Sequence, residues 1–194
     1  MEPNMKNSSQ EREQKILEAA MTSFSRYGYE RTKMEDIAEI LGISRPALYK
    51  TYRNKEHIFR ELAQAVHLEA IEAAKEALKG KKPFGRRLEN ALIVRDVHLL
   101  KVGHSGPHAD EIAELYLSLA GDLADEFNAQ FVELLTKAIL MAEKEEGFTR
   151  PPAYRSAKDF AHLLRLALEG VKKEVKEIED YKSLAKQLIR AMAS

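Results

Sequence analysis

Residues 43–55, with the sequence ISRPALYKTYRNK, carry side chains suited to contacting a nucleic acid. Arg and Lys can neutralise phosphates or bind guanine edges, and tyrosine hydroxyls can reach phosphate oxygens. A run of charges alone would also suit the solvated face of a small helical domain, so the interpretation depends on the elements that position these side chains. The segment holds no acidic residue, and its four basic residues, interleaved with Tyr49 and Tyr52, are Arg45, Lys50, Arg53 and Lys55.

Two short helices joined by a tight turn are predicted to hold this segment. Gly42 favours the end of the first helix, and Ser44 can cap a second helix in which an early Pro46 loses no hydrogen bond. A helix, a short turn and a second helix form a helix-turn-helix unit, whose second helix enters the major groove of DNA. The first helix is predicted over residues 34–41 from four apolar residues at helical spacing, Met34, Ile37, Ala38 and Leu41.

The ends and the inner face of the unit are also predicted. Thr32 and Glu35 have the spacing of a capping box at the start of the first helix. Leu48 and Tyr52, four residues apart, are expected to face inward, and Asn54 is expected to start the next helix. The remaining side chains of the second helix are then left to point outward.

Residues 12–62 resemble the TetR family of bacterial and archaeal transcriptional regulators. The resemblance covers about a quarter of the chain and includes ILEAAMTSFSRYGYERTKMEDIA followed by LGISRPALYKTYRNKEHIF. The positions that match the family pattern are Gly28, Tyr29, Ile37, Ala38, Gly42, Leu48, Tyr49, Tyr52, Lys55 and Phe59.

The resemblance implies which residues contact DNA. The recognition helix would contain Arg45, Pro46, Ala47, Tyr49, Lys50 and Thr51, and the usual phosphate anchors would be Tyr49 and Lys55. With the neighbouring residues, the predicted DNA-contact set is Thr32, Lys33, Ser44, Arg45, Pro46, Ala47, Tyr49, Lys50, Thr51, Tyr52 and Lys55.

Composition excludes several classes of protein. The formal net charge is zero over 194 residues, so DNA affinity would have to come from a concentrated surface and from two copies of it. There is no cysteine, which excludes disulfides and Cys-ligated zinc. No apolar run approaches the roughly 18 residues that span a bilayer, and the N-terminus lacks the apolar part of a signal peptide. We expect a soluble cytoplasmic protein with no membrane partner.

An all-α fold is predicted, because no convincing stretch alternates with a period of two. A three-helix helix-turn-helix head, residues 1–53, would be joined by a long helix over residues 54–79 to a larger helical ligand-binding and dimerisation domain, residues 54–194. A loose arm is expected before a first helix that is capped by Ser8 and Glu11 and runs to Tyr27. The later helices are predicted at 86–103, 109–120, 122–146, 155–173 and 180–193.

The last two helices are candidates for a dimer interface. The helix over 155–173 is apolar around more of its circumference than one core needs, and the last helix has a clean apolar stripe. The resemblance implies a homodimer built from these two helices of each chain, and burial within one chain is the alternative. The predicted interface residues are Phe160, Leu164, Leu168, Tyr181, Leu184 and Leu188.

The resemblance also implies a small effector, largely apolar, in the second domain. Ordinary core packing is the favoured interpretation for each candidate residue, with an effector contact as the alternative. A metal site at His104 and His108 is disfavoured, because the SGP segment between them cannot keep helical spacing. No cofactor or metal is predicted. The candidate effector ligands are His98, Tyr116, Phe127, Phe131 and His162.

The sequence favours a regulator over an enzyme. It contains no P-loop, dinucleotide-binding glycine motif, HExxH or catalytic cysteine. An architectural DNA-binding protein would share the head but would not need some 140 residues of second domain. We therefore expect a sequence-specific transcriptional regulator, a repressor released from a palindromic operator by a small-molecule inducer, with the architectural protein as the alternative.

Overall fold

The computed structural model describes residues 4–103 and 106–193, and the regular secondary structure of this part of the chain is all α-helix, as predicted. Among the described residues, no helix combines the length and the hydrophobicity that crossing a bilayer requires. The helices are α1 Asn4–Tyr27, α2 Met34–Ile40, α3 Arg45–Tyr49, α4 Lys55–Leu78, α5 Phe84–Gly103, α6 Ala109–Glu145, α7 Ala157–Glu174 and α8 Ile178–Ala193.

Two of the predicted helix boundaries are wrong. The stretches predicted as 109–120 and 122–146 form the single helix α6, with Gly121 inside it. A glycine inside a helix costs only about 1 kcal/mol relative to alanine, and α6 buries Ala120, Phe127 and Phe131 on either side of it. The first helix begins at Asn4, so the predicted start near Ser8 is wrong, and the part of the expected loose arm before Asn4 lies outside the described residues.

The chain divides into two compact units. Unit 1 comprises residues 1–65 and 102–123, and unit 2 comprises residues 66–101 and 124–194. Both α4 and α6 therefore contribute residues to each unit. Units defined by packing need not coincide with domains that act separately, so the division after residue 53 stays a prediction.

The core of unit 1 gathers apolar side chains from α1 to α4 and from the start of α6. An aromatic cluster lies at its centre: the ring of Tyr29 is 5.2 Å from that of Phe24 and 5.5 Å from that of Phe59. Ile112 of α6 is buried in the same core, with Leu115 partly buried against it. Unit 1 is thus the predicted three-helix head with added packing from α4 and α6.

The core of unit 2 is built from the second half of α4, from α5, from the second half of α6, and from α7 and α8. In the second half of α4, the buried positions are His67, Ala70, Ile71, Ala74 and Leu78, whereas Leu68 is half exposed. The structure therefore places a histidine, rather than the neighbouring leucine, on the inner face of the helix.

Candidate nucleic-acid interface

The turn between α2 and α3 fixes the direction of the second helix. Gly42 adopts a left-handed conformation with φ of 63°, as the sequence predicted. The amide of Ile43 donates to the carbonyl of Ala38 at 3.0 Å, and that of Gly42 donates to the carbonyl of Glu39 at 3.0 Å. This is the Schellman arrangement, which satisfies carbonyls that the end of α2 would otherwise leave without donors.

The start of α3 is capped as predicted. Ser44 has an extended backbone, and its hydroxyl accepts a hydrogen bond from the amide of Ala47 at 3.4 Å. Pro46 lies in the first turn, where the missing amide proton costs nothing. Leu48 is fully buried and anchors this short helix in the core of unit 1.

One face of α3 remains outside the core. Arg45, Pro46, Tyr49 and Lys50 are exposed, and Ala47 and Thr51 are partly exposed. Two further predicted contacts, Lys33 before α2 and Ser44 before α3, are also exposed. The structure therefore leaves eight of the eleven predicted DNA-contact residues exposed or partly exposed on the helix-turn-helix unit.

Arg45 is held by contacts that the sequence pattern did not predict. Its guanidinium forms an ion pair with Glu35 of α2 at 2.6 Å and lies 5.4 Å from the centre of the Tyr49 ring. Both members of the ion pair are well exposed, so water and salt can screen it. The carboxylate of Glu35 competes with any phosphate or base edge for this guanidinium.

Lys55 braces the loop between α1 and α2. Its ammonium donates to the backbone carbonyls of Tyr29 at 2.6 Å and Glu30 at 3.3 Å, and it lies 4.1 Å from the centre of the Tyr29 ring. Burial raises the pKa of the Tyr29 hydroxyl to about 12. An ammonium has three donors, so a contact from Lys55 to a phosphate stays a prediction beside this structural role.

Thr32 and Tyr52 belong to the core rather than to the exposed face. Thr32 is buried and donates its hydroxyl to the carbonyl of Gly28 at 2.7 Å. Tyr52 is buried as predicted from its spacing with Leu48, and burial raises its pKa to about 12. Neither side chain offers the open surface that a DNA contact needs, so both are left out of the proposed interface.

The predicted capping box at Thr32 and Glu35 is replaced by a one-sided cap shifted by a single residue, because a lysine side chain has no acceptor to complete the box. The amide of Lys33 donates to the carboxylate of Asp36 at 2.7 Å. The hydroxyl of Thr32 is instead bonded to the preceding turn. At the next helix the prediction is confirmed, because the amide of His57 donates to the side-chain oxygen of Asn54 at 2.8 Å.

The first half of α6 is tied to the head by polar contacts as well as by Ile112. The amide of Glu30, in the α1–α2 loop, donates to the Glu111 carboxylate at 2.9 Å. Two nitrogens of Arg60 on α4 donate to the two carboxylate oxygens of Asp122, at 2.8 and 2.7 Å. The same guanidinium also contacts the carbonyl of Leu119. These partners are far apart in the sequence, so no local sequence pattern predicts the contacts between them.

Four of the six predicted dimer-interface residues are buried inside their own chain. Their side chains belong to the core of unit 2, and their burial in one chain corrects the prediction. Leu188 is partly buried against the same core, and Leu184 is exposed. Because α7 is apolar on two sides, the prediction selected the side that the core of its own chain covers. The four residues with no surface left for a partner are Phe160, Leu164, Leu168 and Tyr181.

The candidate effector ligands do not form one group. His98 is partly exposed and lies 3.1 Å from the Glu69 carboxylate, while His162 is exposed on α7. Tyr116 belongs to unit 1 and packs against its core. Only Phe127 and Phe131 are buried in unit 2, where each has a polar neighbour that the sequence did not single out.

No group of three or more potential metal ligands occurs among the described residues. His108 lies 3.2 Å from the Glu111 carboxylate. His104, four residues before His108 in the sequence, falls outside the described residues.

Part of the head matches a known protein family. Residues 16–62 match the family described as bacterial regulatory proteins, tetR family. The chain is 32% identical over 96 residues to the uncharacterized HTH-type transcriptional regulator YhgD of Bacillus subtilis (strain 168), a match over 47% of this chain and 50% of YhgD. It is 43% identical over 47 residues to IcaR of Staphylococcus epidermidis, described as the negative transcriptional regulator of the biofilm operon icaADBC, over 24% of this chain and 25% of IcaR. The matches thus span half or less of these curated relatives.

Solved structures share the fold over nearly the whole chain. One is SmeT, described as the repressor of the Stenotrophomonas maltophilia multidrug efflux pump SmeDEF, in a complex with triclosan. That complex aligns with a TM-score of 0.66 over 92% of this chain and 90% of SmeT, at 20% identity. This identity shows the fold alone. The sequence match therefore assigns residues 16–62 to the tetR family of bacterial regulatory proteins, and the structural match shows that the chain has the same fold as SmeT.

Proposed function

We propose that this chain is a sequence-specific transcriptional repressor whose affinity for DNA is controlled by a small molecule. The observation that carries the proposal is the exposed face of α3, where Arg45, Tyr49 and Lys50 project beside a buried Leu48. A helix anchored on one side and polar on the other can enter the major groove without losing its core packing.

Roles for the exposed residues follow from their chemistry. Arg45 is placed to read a guanine edge with both guanidinium nitrogens, once it leaves Glu35. Tyr49 and Lys50 suit phosphate oxygens, and such contacts fix the helix in the groove without selecting a base. Lys33, in front of α2, adds a further exposed cation on the same unit.

The repressor acts as a homodimer. Exposed and partly exposed residues on α7 and α8 form a second apolar stripe at helical spacing on each helix. Two such helices from each chain would make a four-helix interface with twofold symmetry. Two α3 helices about 34 Å apart would then read one face of an inverted repeat. The stripe contains Leu163, Leu166 and Gly170 on α7 and Leu184, Leu188 and Ala191 on α8.

Repression and its release by an effector are supported by the fold and by what is said of similar proteins. IcaR is described as a negative regulator and SmeT as a repressor, and the SmeT structure holds triclosan. Here α4 and α6 run through both units, and α6 contacts the α1–α2 loop through Glu111. An effector that binds the conformation with the wrong spacing of α3 helices would release the operator. Such a regulator would act in the cytoplasm, where the operator lies.

The test is binding to an inverted repeat selected from a random duplex pool, followed by titration of variants in a gel-shift assay. Arg45→Ala should change the preference among operator bases by about 5- to 150-fold. Lys50→Ala should weaken binding to all sequences alike and lower the salt slope by about 1. Lys81→Ala, which removes an exposed cation from the α4–α5 loop of unit 2, is the matched control and should change neither.

Equal loss on all sequences for Arg45→Ala would assign that residue to phosphate contact. Recovery of no motif, with binding that disappears as salt rises, would favour the architectural DNA-binding protein instead.

A further inference from the structure

A buried guanidinium lies at the centre of unit 2. Arg95 of α5 is only 1% exposed, and its guanidinium carbon is 4.8 Å from the centre of the Phe131 ring. One terminal nitrogen donates to Asp96 at 2.8 Å and the other to the side-chain oxygen of Asn128 at 2.6 Å. Burying a charge of this size away from water is costly unless it is paired and fully hydrogen-bonded.

The carboxylate nearest to Arg95 is shared with other donors. Asp96 also accepts a hydrogen bond from the buried hydroxyl of Tyr181 at 2.6 Å, and the ammonium of Lys172 lies 3.6 Å from it. Lys172 has a second carboxylate, that of the more exposed Glu169, at 2.7 Å. In the enclosed part of this cluster, two cations therefore face a single carboxylate.

One hydrogen-bond donor of the guanidinium has no acceptor in the part of the chain that the structure describes. Among the described residues, none forms a hydrogen bond with the buried Nε of Arg95. A buried donor without an acceptor is rare in folded proteins and calls for an explanation such as a bound ligand. The neighbouring Asn128 is uncharged, so the terminal nitrogen bonded to it faces no negative charge.

Uncharged rings lie on one side of this group. The ring of His67 is buried and stacks on Phe127 with the ring centres 4.9 Å apart. Burial, together with the charges of Arg95 and Lys172, lowers the pKa of His67 to about 4. The imidazole is thus neutral at pH 7, and the positive charge of the cluster is confined to the two side chains that an anion would meet.

We propose that Arg95 is the anchor for the effector's head group, and that the effector is a small carboxylic acid with an apolar body. A carboxylate matches the planar fork of a guanidinium and can take both Nε and the adjacent terminal nitrogen. Its apolar body would lie against Phe127 and Phe131. This inference rests on the proposed effector control and specifies the chemistry of the effector.

Direct binding to the full chain tests the proposal without DNA. Octanoate and benzoate are titrated by calorimetry, each beside its neutral amide, octanamide or benzamide. The carboxylates should bind and the amides should not. Arg95→Met should weaken carboxylate binding by about 10- to 100-fold, the usual effect of removing a hydrogen bond to a charged group.

A second variant covers the case in which Arg95→Met fails to fold. Asn128→Asp keeps the guanidinium and places a fixed carboxylate on it, so it should weaken octanoate binding at least tenfold while leaving the melting temperature unchanged or higher. Arg190→Met breaks another arginine–carboxylate pair in unit 2, with Glu89 at 2.9 Å, and should leave octanoate binding unchanged.

Three results would overturn the proposal: neither carboxylate binds, the amides bind as well as the acids, or Asn128→Asp binds octanoate like the unmodified chain. None of these outcomes depends on DNA. If the acids bind through Arg95 but no inverted repeat is recovered, the proposed repressor function fails while the carboxylate site stands. If an inverted repeat is recovered and the acids do not bind, only the carboxylate site fails.

Discussion

Two neighbouring leucines on α7 should give opposite results when truncated. Leu164 is fully buried in the core of unit 2, whereas Leu163 is 38% exposed on the face that we assign to the dimer interface. Leu164→Ala should lower the free energy of unfolding by about 2–5 kcal/mol, because it leaves a cavity in a packed core. For a chain of this size, each kcal/mol corresponds to about 2–4 °C in melting temperature.

Leu163→Ala should act on the dimer instead. The change removes three carbon groups, and each contributes about 0.8 kcal/mol when it is fully buried. Since Leu163 is 38% exposed within its own chain, a partner can bury roughly two fifths of its surface and so supply roughly two fifths of that free energy. This is about 1 kcal/mol per copy and about 2 kcal/mol for the two copies of a twofold interface, or a dimer dissociation constant raised about 20- to 30-fold.

Sedimentation velocity over a range of protein concentrations measures the dissociation constant, and denaturant unfolding at one fixed, low concentration measures stability. Leu164→Ala is the matched control for Leu163→Ala, since both delete the same atoms. The reasoning fails if Leu163→Ala leaves the dissociation constant unchanged, or if it destabilises the dilute protein as much as Leu164→Ala does.

Three further predictions concern the head and the buried histidine. Glu35→Gln should strengthen operator binding a few-fold, because it frees the Arg45 guanidinium and removes a negative charge beside the DNA; a gel shift that shows weaker binding would make the ion pair a positioning contact. Lys55→Met should weaken binding to all DNA sequences; a salt slope lowered by about 0.9 identifies a lost phosphate contact, and an unchanged slope identifies the bracing of Tyr29 and Glu30. The pKa of His67 is lowered to about 4 in the folded chain, so between about pH 6.5 and 4 the unfolded chain binds more protons than the folded chain. The free energy of unfolding should therefore fall as the pH falls through that window, by up to about 3 kcal/mol. Unfolding curves of His67→Leu should lack this part of the pH dependence, and an unchanged profile would refute it.

The helix-turn-helix could be predicted from sequence because each of its signals is local. Gly42, Ser44 and Pro46 act within a few residues of themselves, and the spacing of Leu48 and Tyr52 fixes which side of α3 is buried. The cap at Lys33 and Asp36 was missed because several polar residues before α2 have nearly equivalent spacings. Choosing among them requires knowing that the hydroxyl of Thr32 is already bonded to Gly28.

The dimer face and the buried polar cluster could not be predicted in the same way. Periodicity indicates that a helix has apolar sides but not which side its own chain covers, so Leu164 was assigned to the interface and Leu163 was not. Asp96 and Tyr181 come together from positions 85 residues apart, and Arg95 joins them through Asp96. In the sequence, Arg95 and Asp96 look like ordinary surface charges, and only packing reveals that both are buried.

Selection of bound sequences from a random duplex pool, repeated at two salt concentrations, tests the central claim most directly. We expect an inverted repeat whose half-sites lie one helical turn, about 34 Å, apart, with an enrichment that survives the higher salt. Recovery of no motif, with binding lost as the salt concentration rises, would contradict sequence-specific recognition by α3.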